Sequence, residues 1–238
     1  MRVANRIPNR VANQVATFDQ HVGAASQAAC TALLKYGMDN SSGNTSPCIG
    51  LLLAAGSGTR FDPSGERNKL AQPLADGRTM AATAAANLLA VLPRVVAVVR
   101  PGASALAFDL AQAGCEVIVC EHAAAGIAST LVRGLTHTIN APGWIVALAD
   151  MPLVRPATIT ALSEALAQGA DIAVPTYHGV HGNPVAFART HLAYLLKLHG
   201  DEGARSLLKK FFVTEIMVED PGVRRDVDTP ADLAHLTA

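Results

Sequence analysis

The chain has 238 residues, half of them hydrophobic, which is enough for one well-buried domain with or without an appended segment. Its 19 basic and 19 acidic residues balance to a formal net charge of zero, so it lacks the basic excess that nucleic-acid-binding domains carry. No apolar run is long enough to span a bilayer. Its four cysteines lack metal-finger spacing, as expected for free thiols in a reducing compartment. We expect a cytoplasmic protein that binds neither nucleic acid nor membrane.

Residues 1–46 differ in composition from the rest of the chain. They are rich in Asn, Ala, Gln and Ser, and they end in a run of turn-forming residues that reaches Pro47. Alanine and leucine favour a helix over residues 24–36. We assign residues 1–46 to an N-terminal extension, either mobile or docked as a helix, and residues 47–238 to the main domain. Because the opening has arginines and few acidic residues, an organelle transit peptide stays open as an alternative.

From residue 48 onward, strand-like apolar runs alternate with helix-like segments. Strands are predicted over residues 49–54, 95–99, 116–120, 144–149, 172–175, 184–187 and 213–218. Helices are predicted over residues 79–92, 104–113, 128–138, 156–168, 204–211 and 230–236. This alternation predicts an α/β fold, a single Rossmann-like domain of three layers with a mostly parallel sheet. In such a sheet, ligands bind at the edge where the strands end.

A glycine-containing turn follows the first strand at that edge. Two glycines with small neighbours allow backbone N–H groups to approach a polyphosphate closely. Arg60 can add a bidentate contact and Lys69 a compact positive charge. Neither the dinucleotide fingerprint nor the P-loop fits this segment, and a simple tight turn is the alternative. The predicted nucleotide-binding residues are Leu53, Ala54, Ala55, Gly56, Ser57, Gly58, Arg60 and Lys69.

Two aspartates are candidate ligands for Mg²⁺. Asp150 ends a strongly apolar strand and so lies at the edge of the sheet. Asp228 stands two residues after Asp226 in an extended segment, which points both carboxylates to one side. Either residue also suits a plainer role, because Asp150 precedes the helix predicted at Pro156 and Asp228 precedes the helix predicted at Pro230.

Three further segments are candidates for binding the second substrate. His181, Gly182 and Asn183 belong to a loop rich in histidine and glycine. Ser129 lies where a glycine and small polar residues open a helix, whose first amides can hold a phosphate or a base. Arg205 follows a second glycine-rich helix entry and is available to a phosphate. Ordinary surface turns remain the alternative for all three segments.

Taken together, five short motifs resemble those of the molybdenum cofactor cytidylyltransferases and guanylyltransferases, a MobA-like family of nucleotide transferases. The resemblance extends from about residue 49 to residue 236, and all five motifs occur in the family's order. They are Leu53-Ala54-Ala55-Gly56-x-x-x-Arg60, Asn68-Lys69-Leu70, Asp150-Met151-Pro152, Gly182-Asn183-Pro184-Val185 and Asp228-Thr229-Pro230-x-Asp232-Leu233.

The resemblance implies the nucleotide-diphosphosugar transferase type of α/β fold and one reaction. A terminal phosphate of molybdopterin attacks the α-phosphorus of CTP or GTP, and pyrophosphate leaves without a covalent enzyme intermediate. Arg60, Lys69 and Asp150 would then be catalytic, and Asp150 and Asp228 would hold Mg²⁺. Ser129, His181, Gly182, Asn183 and Arg205 would bind the acceptor or the nucleotide. A molybdoenzyme or its chaperone is an expected partner.

Ala55 resembles the cytidylyl branch, since guanylyltransferases usually carry a second glycine there. Two features depart from that branch. Asn183 stands where cytidylyltransferases commonly have histidine, and the run from Arg60 to Lys69 is longer than the family pattern. Three alternatives therefore stay open: a guanylyltransferase, a sugar-phosphate or methylerythritol-type nucleotidyltransferase, and a non-catalytic accessory protein of a molybdoenzyme.

Overall fold

The computed structural model describes residues 48–237. The helix predicted over residues 24–36 lies outside the described residues, and the boundary proposed after residue 46 stays a prediction. Within residues 48–237, no helix is both long and apolar enough to cross a bilayer.

Eight strands form one sheet in the described part of the chain. They are β1 (Ile49–Ala54), β2 (Val95–Val99), β3 (Glu116–Val119), β4 (Gly143–Leu148), β5 (Ile172–Tyr177), β6 (Val180–His181), β7 (Val185–Ala188) and β8 (Thr214–Met217). The α-helices are α1 (Met80–Leu89), α2 (Ser104–Gln112), α3 (Ile127–His137), α4 (Pro156–Ala167), α5 (Leu192–Leu195) and α6 (Pro230–Thr237). Short 3₁₀ helices occupy Lys69–Ala71, Ala123–Ala125, Arg189–His191, Ala204–Lys209 and Pro221–Arg224.

The sheet is mostly parallel, as predicted. Strands β3, β2, β1 and β4 lie side by side in that order and pair in parallel. Strand β7 pairs antiparallel with both β4 and β5, while β8 pairs in parallel with β5. Ala173 of β5 pairs with β7 on one side and β8 on the other, so β5 lies inside the sheet. The predicted strand near Pro184 is therefore present as β7, but it runs against its neighbours.

Helices cover both faces of the sheet, which makes three layers. Strands β1 and β2 are buried at every position, as a parallel strand covered on both faces requires. Alternate side chains of β1 point to opposite faces of the sheet. Leu52 and Ala54 belong to the core formed with α1, α2 and α4. Leu51 faces α3, where a Cβ added to Gly134 would lie 3.1 Å from its Cδ2.

The segment predicted as a helix over residues 204–211 is a six-residue 3₁₀ helix instead, Ala204–Lys209. Its buried residues are Ala204 and Leu207, three positions apart. This spacing matches the three residues per turn of a 3₁₀ helix, and no side chain caps its first turn. Strand β3 also ends one residue before the predicted limit at Cys120.

One buried hydrogen bond secures the amino end of β4, at the edge of the sheet opposite the strand ends. The indole Nε1 of Trp144 donates to Thr138 Oγ1 over 2.9 Å, and both residues are almost inaccessible to solvent. Thr138→Val keeps the side-chain shape but leaves the indole N–H without its acceptor. We expect the free energy of unfolding to fall by about 1–3 kcal/mol, measured by urea denaturation. An unchanged unfolding midpoint would contradict this assignment.

Candidate active site

The loops that follow β1, β2, β3 and β4 surround one open cavity of about 820 Å³. It lies where the parallel strands end, as expected for this type of sheet. Most of the residues that the sequence assigns to the nucleotide or the metal lie on its wall. They are Leu53, Ala55, Gly56, Ser57, Gly58, Arg60, Lys69, Asp150 and Asp228.

The glycine-containing turn presents backbone donors to this cavity. Gly58 has a φ of +68°, in the left-handed region that favours glycine, and its carbonyl accepts from Phe61 N and Asp62 N. Within residues 48–237, the N–H groups of Gly56, Ser57 and Thr59 donate to no backbone or side-chain acceptor. All three residues line the cavity, and unused backbone donors there suit the oxygens of a phosphate.

The long run between Arg60 and Lys69 folds into a compact turn around Asp62. One carboxylate oxygen of Asp62 accepts from the backbone and hydroxyl of Ser64, and the other accepts from Arg67 N at 2.7 Å. These bonds, led by that of the Ser64 hydroxyl, lower the pKa of Asp62 below its usual value. The turn brings Lys69 back beneath Gly58, where a Cβ added to the glycine would lie 3.3 Å from Lys69 Cβ. The unusual length thus leaves Lys69 beside the glycines.

Lys69 bridges the two predicted metal ligands. Its ammonium group donates to Asp150 Oδ2 over 2.8 Å and to Asp228 Oδ1 over 3.1 Å. The side chain of Asn68 caps the 3₁₀ helix that begins at Lys69 by accepting from Leu70 N. The guanidinium of Arg60 contacts the other oxygen of Asp228 at 2.6 Å, although the Arg60 side chain is 76% exposed. Because the arginine is so exposed, solvent weakens this ion pair.

The two carboxylates are held together by the backbone as well. Val227 N donates to the carbonyl of Asp150, so the residue before Asp228 is bonded to Asp150 itself. The carboxylate of Asp232 accepts from Asp228 N and from the backbone and hydroxyl of Thr229, which fixes the turn into α6. The segment with Asp228 therefore reaches the edge of the sheet without belonging to a strand.

The carboxylates fit a divalent cation that also binds substrate phosphates. Among the described residues, no three His, Cys, Asp or Glu side chains converge as an all-protein metal cage. Mg²⁺ commonly takes one or two carboxylates, completing its coordination with water and substrate phosphates. Asp150 Oδ1 is buried and has no hydrogen-bond partner in this part of the chain, so it has an unused lone pair for a cation.

Sequence reasoning did not select Asp226 as a site residue, yet its carboxylate belongs to this cluster. Loss of hydration raises the pKa of Asp226, and the negative charges of Asp228 and Asp150 raise it further. Asp226 also lines the cavity. The alternation of Asp226 and Asp228 in an extended segment was the signal that could have identified it.

Three more charged residues that line the cavity were also missed. Arg100 directly follows β2, Glu121 follows β3 by one intervening residue, and Asp201 comes from the glycine-rich loop before the 3₁₀ helix Ala204–Lys209. The signal for Arg100 and Glu121 was their position after parallel strands. Asp201 belongs to the glycine-rich helix entry that the sequence analysis selected, but Arg205 was chosen from that segment and Asp201 was not.

The remaining predicted residues lie outside the cavity lining. Ala54 is buried within β1. Ser129 Oγ donates to backbone carbonyls, His181 pairs with Glu215 at 2.6 Å, and Arg205 donates to the carbonyl of His181. Gly182 and Asn183 both lie against Val223, and Asn183 also contacts Met151 through its side chain. Their roles toward a second substrate stay predictions.

The first turn of α3 lies at the cavity through Gly126, Ile127 and Thr130, but two of its amides are already used. Ala128 N donates to the carbonyl of Gly200, and Ser129 N donates to the carbonyl of Gly126. Gly126 is required for this approach, because a Cβ there would lie 2.2 Å from the Gly200 carbonyl oxygen. The loop at Gly200 thus takes an amide that the sequence assigned to a phosphate or a base.

A parallel sheet with a glycine turn, a lysine and two aspartates at its carboxyl edge defines a nucleotidyltransferase-type α/β protein. Comparison with known families identifies the group. The model of the MobA-like NTP transferase domain matches residues 50–215. This chain belongs to that family.

Two relatives are similar over most of their length. The purine catabolism protein PucB of Bacillus subtilis is 31% identical over 196 residues, which cover 77% of this chain and 93% of PucB. The crystal structure of Rv0371c from Mycobacterium tuberculosis is 30% identical, with a TM-score of 0.69, covering 81% of this chain and 98% of that one. Rv0371c has also been solved in complex with manganese, with 31% identity, a TM-score of 0.66 and the same coverage of both chains.

A more distant structure shares the fold. Molybdopterin-guanine dinucleotide biosynthesis protein A from Archaeoglobus fulgidus is 20% identical, with a TM-score of 0.61, covering 79% of this chain and 96% of that one.

A pair of glycine substitutions tests the phosphate-binding turn. Gly58→Ala strains a left-handed residue and presses a methyl group toward Lys69, whereas Gly65→Ala strains an equivalent residue (φ +73°) that faces open space. We expect both variants to lose about 1 kcal/mol of stability. Only Gly58→Ala should weaken nucleoside triphosphate binding, by about tenfold, because only it displaces a group at the cavity. Calorimetric titration with CTP and GTP measures this, and equal affinity in the two variants would contradict the assignment.

Proposed function

We propose that this chain is a Mg²⁺-dependent nucleotidyltransferase that transfers CMP from CTP to the terminal phosphate of molybdopterin and releases pyrophosphate. The observation that carries the proposal is the convergence of Lys69, Asp150 and Asp228 in a cavity that is also lined by Gly56, Ser57 and Thr59, whose amides are unused within residues 48–237. This arrangement provides donors for a triphosphate and carboxylates for its cation in one cavity.

In this mechanism the protein positions two anions and neutralises them. The amides of the glycine turn bind the triphosphate, while Arg60 and Lys69 supply positive charge. A phosphate oxygen of the acceptor attacks the α-phosphorus, and the bond from that phosphorus to the bridging oxygen of the β-phosphate breaks. Most of the catalysis then comes from holding the two phosphates in line.

Asp150 and Asp228 are the residues that would hold the divalent cation. When bound, the cation would offset the charge that develops on the departing pyrophosphate. The manganese complex of Rv0371c, which is 31% identical to this chain, supports the use of a divalent metal here. Mg²⁺ is our choice because it typically accompanies nucleoside triphosphates.

The preference for CTP depends on Ala55, which resembles the cytidylyl branch of the family. GTP is the alternative nucleotide, and the match to a MobA-like model keeps it open.

The choice of acceptor depends on Asn183. Its amide replaces an imidazole common in that branch, and it contacts Met151, the residue after Asp150. A sugar phosphate or a methylerythritol phosphate is the alternative acceptor on this fold.

The non-catalytic alternative makes a different prediction from the enzyme. An accessory protein of a molybdoenzyme has no need of a buried lysine shared by two carboxylates, so the intact Lys69 cluster favours catalysis. Such a protein would bind nucleotide without releasing pyrophosphate.

Pyrophosphate release from purified protein tests the function. The assay contains Mg²⁺, molybdenum-loaded molybdopterin and one of the four nucleoside triphosphates. We expect release with CTP, and we expect Asp150→Asn to lower the rate by at least about 10²-fold because it removes charge from the cation site. Asp171→Asn is the matched control, since Asp171 accepts from Thr190 at the opposite edge of the sheet.

The outcomes separate the alternatives. Pyrophosphate release with GTP instead of CTP would support the same mechanism, with GTP as the nucleotide substrate. Nucleotide binding without release, whichever of the three acceptor classes is supplied, would contradict the enzyme proposal and favour the accessory protein.

A further inference from the structure

The carboxylate of Asp220 is buried, and the proposed mechanism gives it no task. Only 2% of the residue is exposed. Its Oδ2 accepts from Arg155 N over 2.8 Å and from the hydroxyl of Thr158 over 2.7 Å, while its Oδ1 accepts from Gly222 N over 2.9 Å. A buried carboxylate with its acceptors satisfied in this way costs little and resists movement.

These bonds put Asp220 at the amino end of α4. Thr158 lies in the first turn of that helix, which begins at Pro156 and has no capping side chain from its own N-cap, Arg155. A carboxylate there satisfies free donors and interacts favourably with the helix dipole. The sequence left this capping role open for Asp150. Because Asp220 fills it, Asp150 remains available to the cavity.

Asp220 also joins the two chain segments that carry the predicted metal ligands. The loop from Asp150 to Arg155 lies on one side, and the 3₁₀ helix Pro221–Arg224, which leads to Asp228, lies on the other. The segments touch so closely that a Cβ on Gly222 would lie 2.2 Å from the carbonyl oxygen of Leu153. Further along, Val227 N donates to the Asp150 carbonyl.

We propose that Asp220 is a positioning residue that sets the separation of Asp150 and Asp228, and thereby the affinity of the site for a divalent cation. The inference rests on the proposed function, because it takes those two aspartates as the cation ligands. Asp220 itself lies behind them and acts only through the two segments that it joins.

The chain offers a matched pair of substitutions to test this. Thr158→Val removes a hydroxyl that donates to Asp220, and Thr138→Val removes the hydroxyl that accepts from Trp144 at the opposite edge of the sheet. Both replace a buried threonine with a residue of the same shape. Asp220→Asn is the stronger variant, because its amide cannot accept all three bonds.

The first readout is Mn²⁺ affinity of the folded full chain, measured by electron paramagnetic resonance without nucleotide. We expect Asp220→Asn to weaken Mn²⁺ binding by about tenfold or more, with a smaller loss in Thr158→Val. Thr138→Val should stay within about twofold of the parent, since distant sites act independently. Equal affinity in Thr158→Val and Thr138→Val would overturn the proposal and leave the proposed function intact.

The second readout needs no metal. Hydrogen exchange of the Val227 amide reports the bond to the Asp150 carbonyl, and it is compared with the amides of β1 in each variant. We expect selective acceleration at Val227 in Asp220→Asn and Thr158→Val. Acceleration equal to that of β1 would overturn the proposal. If the parent protein binds no Mn²⁺ either with or without CTP, the proposed function fails, and this readout alone decides whether Asp220 joins the two segments.

Discussion

The ammonium group of Lys69 lies between two carboxylates that come from distant parts of the chain, and the geometry of the cavity depends on this contact. Asp150 and Asp228 face the same point and would repel each other without a cation between them. Lys69 is nearly buried, and an unpaired ammonium there would be costly. Each charge therefore requires the others, which explains why three separate segments meet at one edge of the sheet.

The same contact links the fold to the chemistry. Parallel strands end at a common edge, so the arrangement of the strands alone brings together the residues after β1 and β4. Asp228 has no such strand to carry it. It reaches the edge through the bond from Val227 N to Asp150 and through the packing of Gly222 against Leu153. The backbone thus completes a pair of carboxylates that the sheet alone would leave incomplete.

The central strands could be predicted from the sequence because their burial on both faces gives continuous apolar runs. The direction of β7 could not, because a four-residue apolar run has the same pattern in either direction. The 3₁₀ helix Ala204–Lys209 was predicted as an α-helix because the two differ by a fraction of a residue per turn, which six residues do not resolve. The short helix α5 (Leu192–Leu195) is one turn long, and a single turn leaves no measurable period.

The site residues divide in the same way into those that could be predicted from the sequence and those that could not. Gly56, Gly58, Lys69 and Asp150 stand directly beside predicted strands or in recognisable motifs, and they line the cavity. Asp201 also lines the cavity, but neither Asp201 nor Asp220 stands in such a position, because each is placed by contacts between segments distant in sequence. The first turn of α3 shows the opposite kind of error, because the sequence predicts free amides there and the fold occupies part of them. A helix entry looks free in the sequence, but the carbonyl that occupies it comes from Gly200, more than seventy residues later.

The proposed role of Asp150 and Asp228 is to hold the cation of a bound nucleoside triphosphate. Anomalous scattering from crystals grown with Mn²⁺ and a non-hydrolysable CTP analogue tests it most directly. We expect one manganese peak within coordination distance of both carboxylates, with the triphosphate against Gly56 and Ser57. A triphosphate bound elsewhere, or manganese bound away from both aspartates, would contradict it.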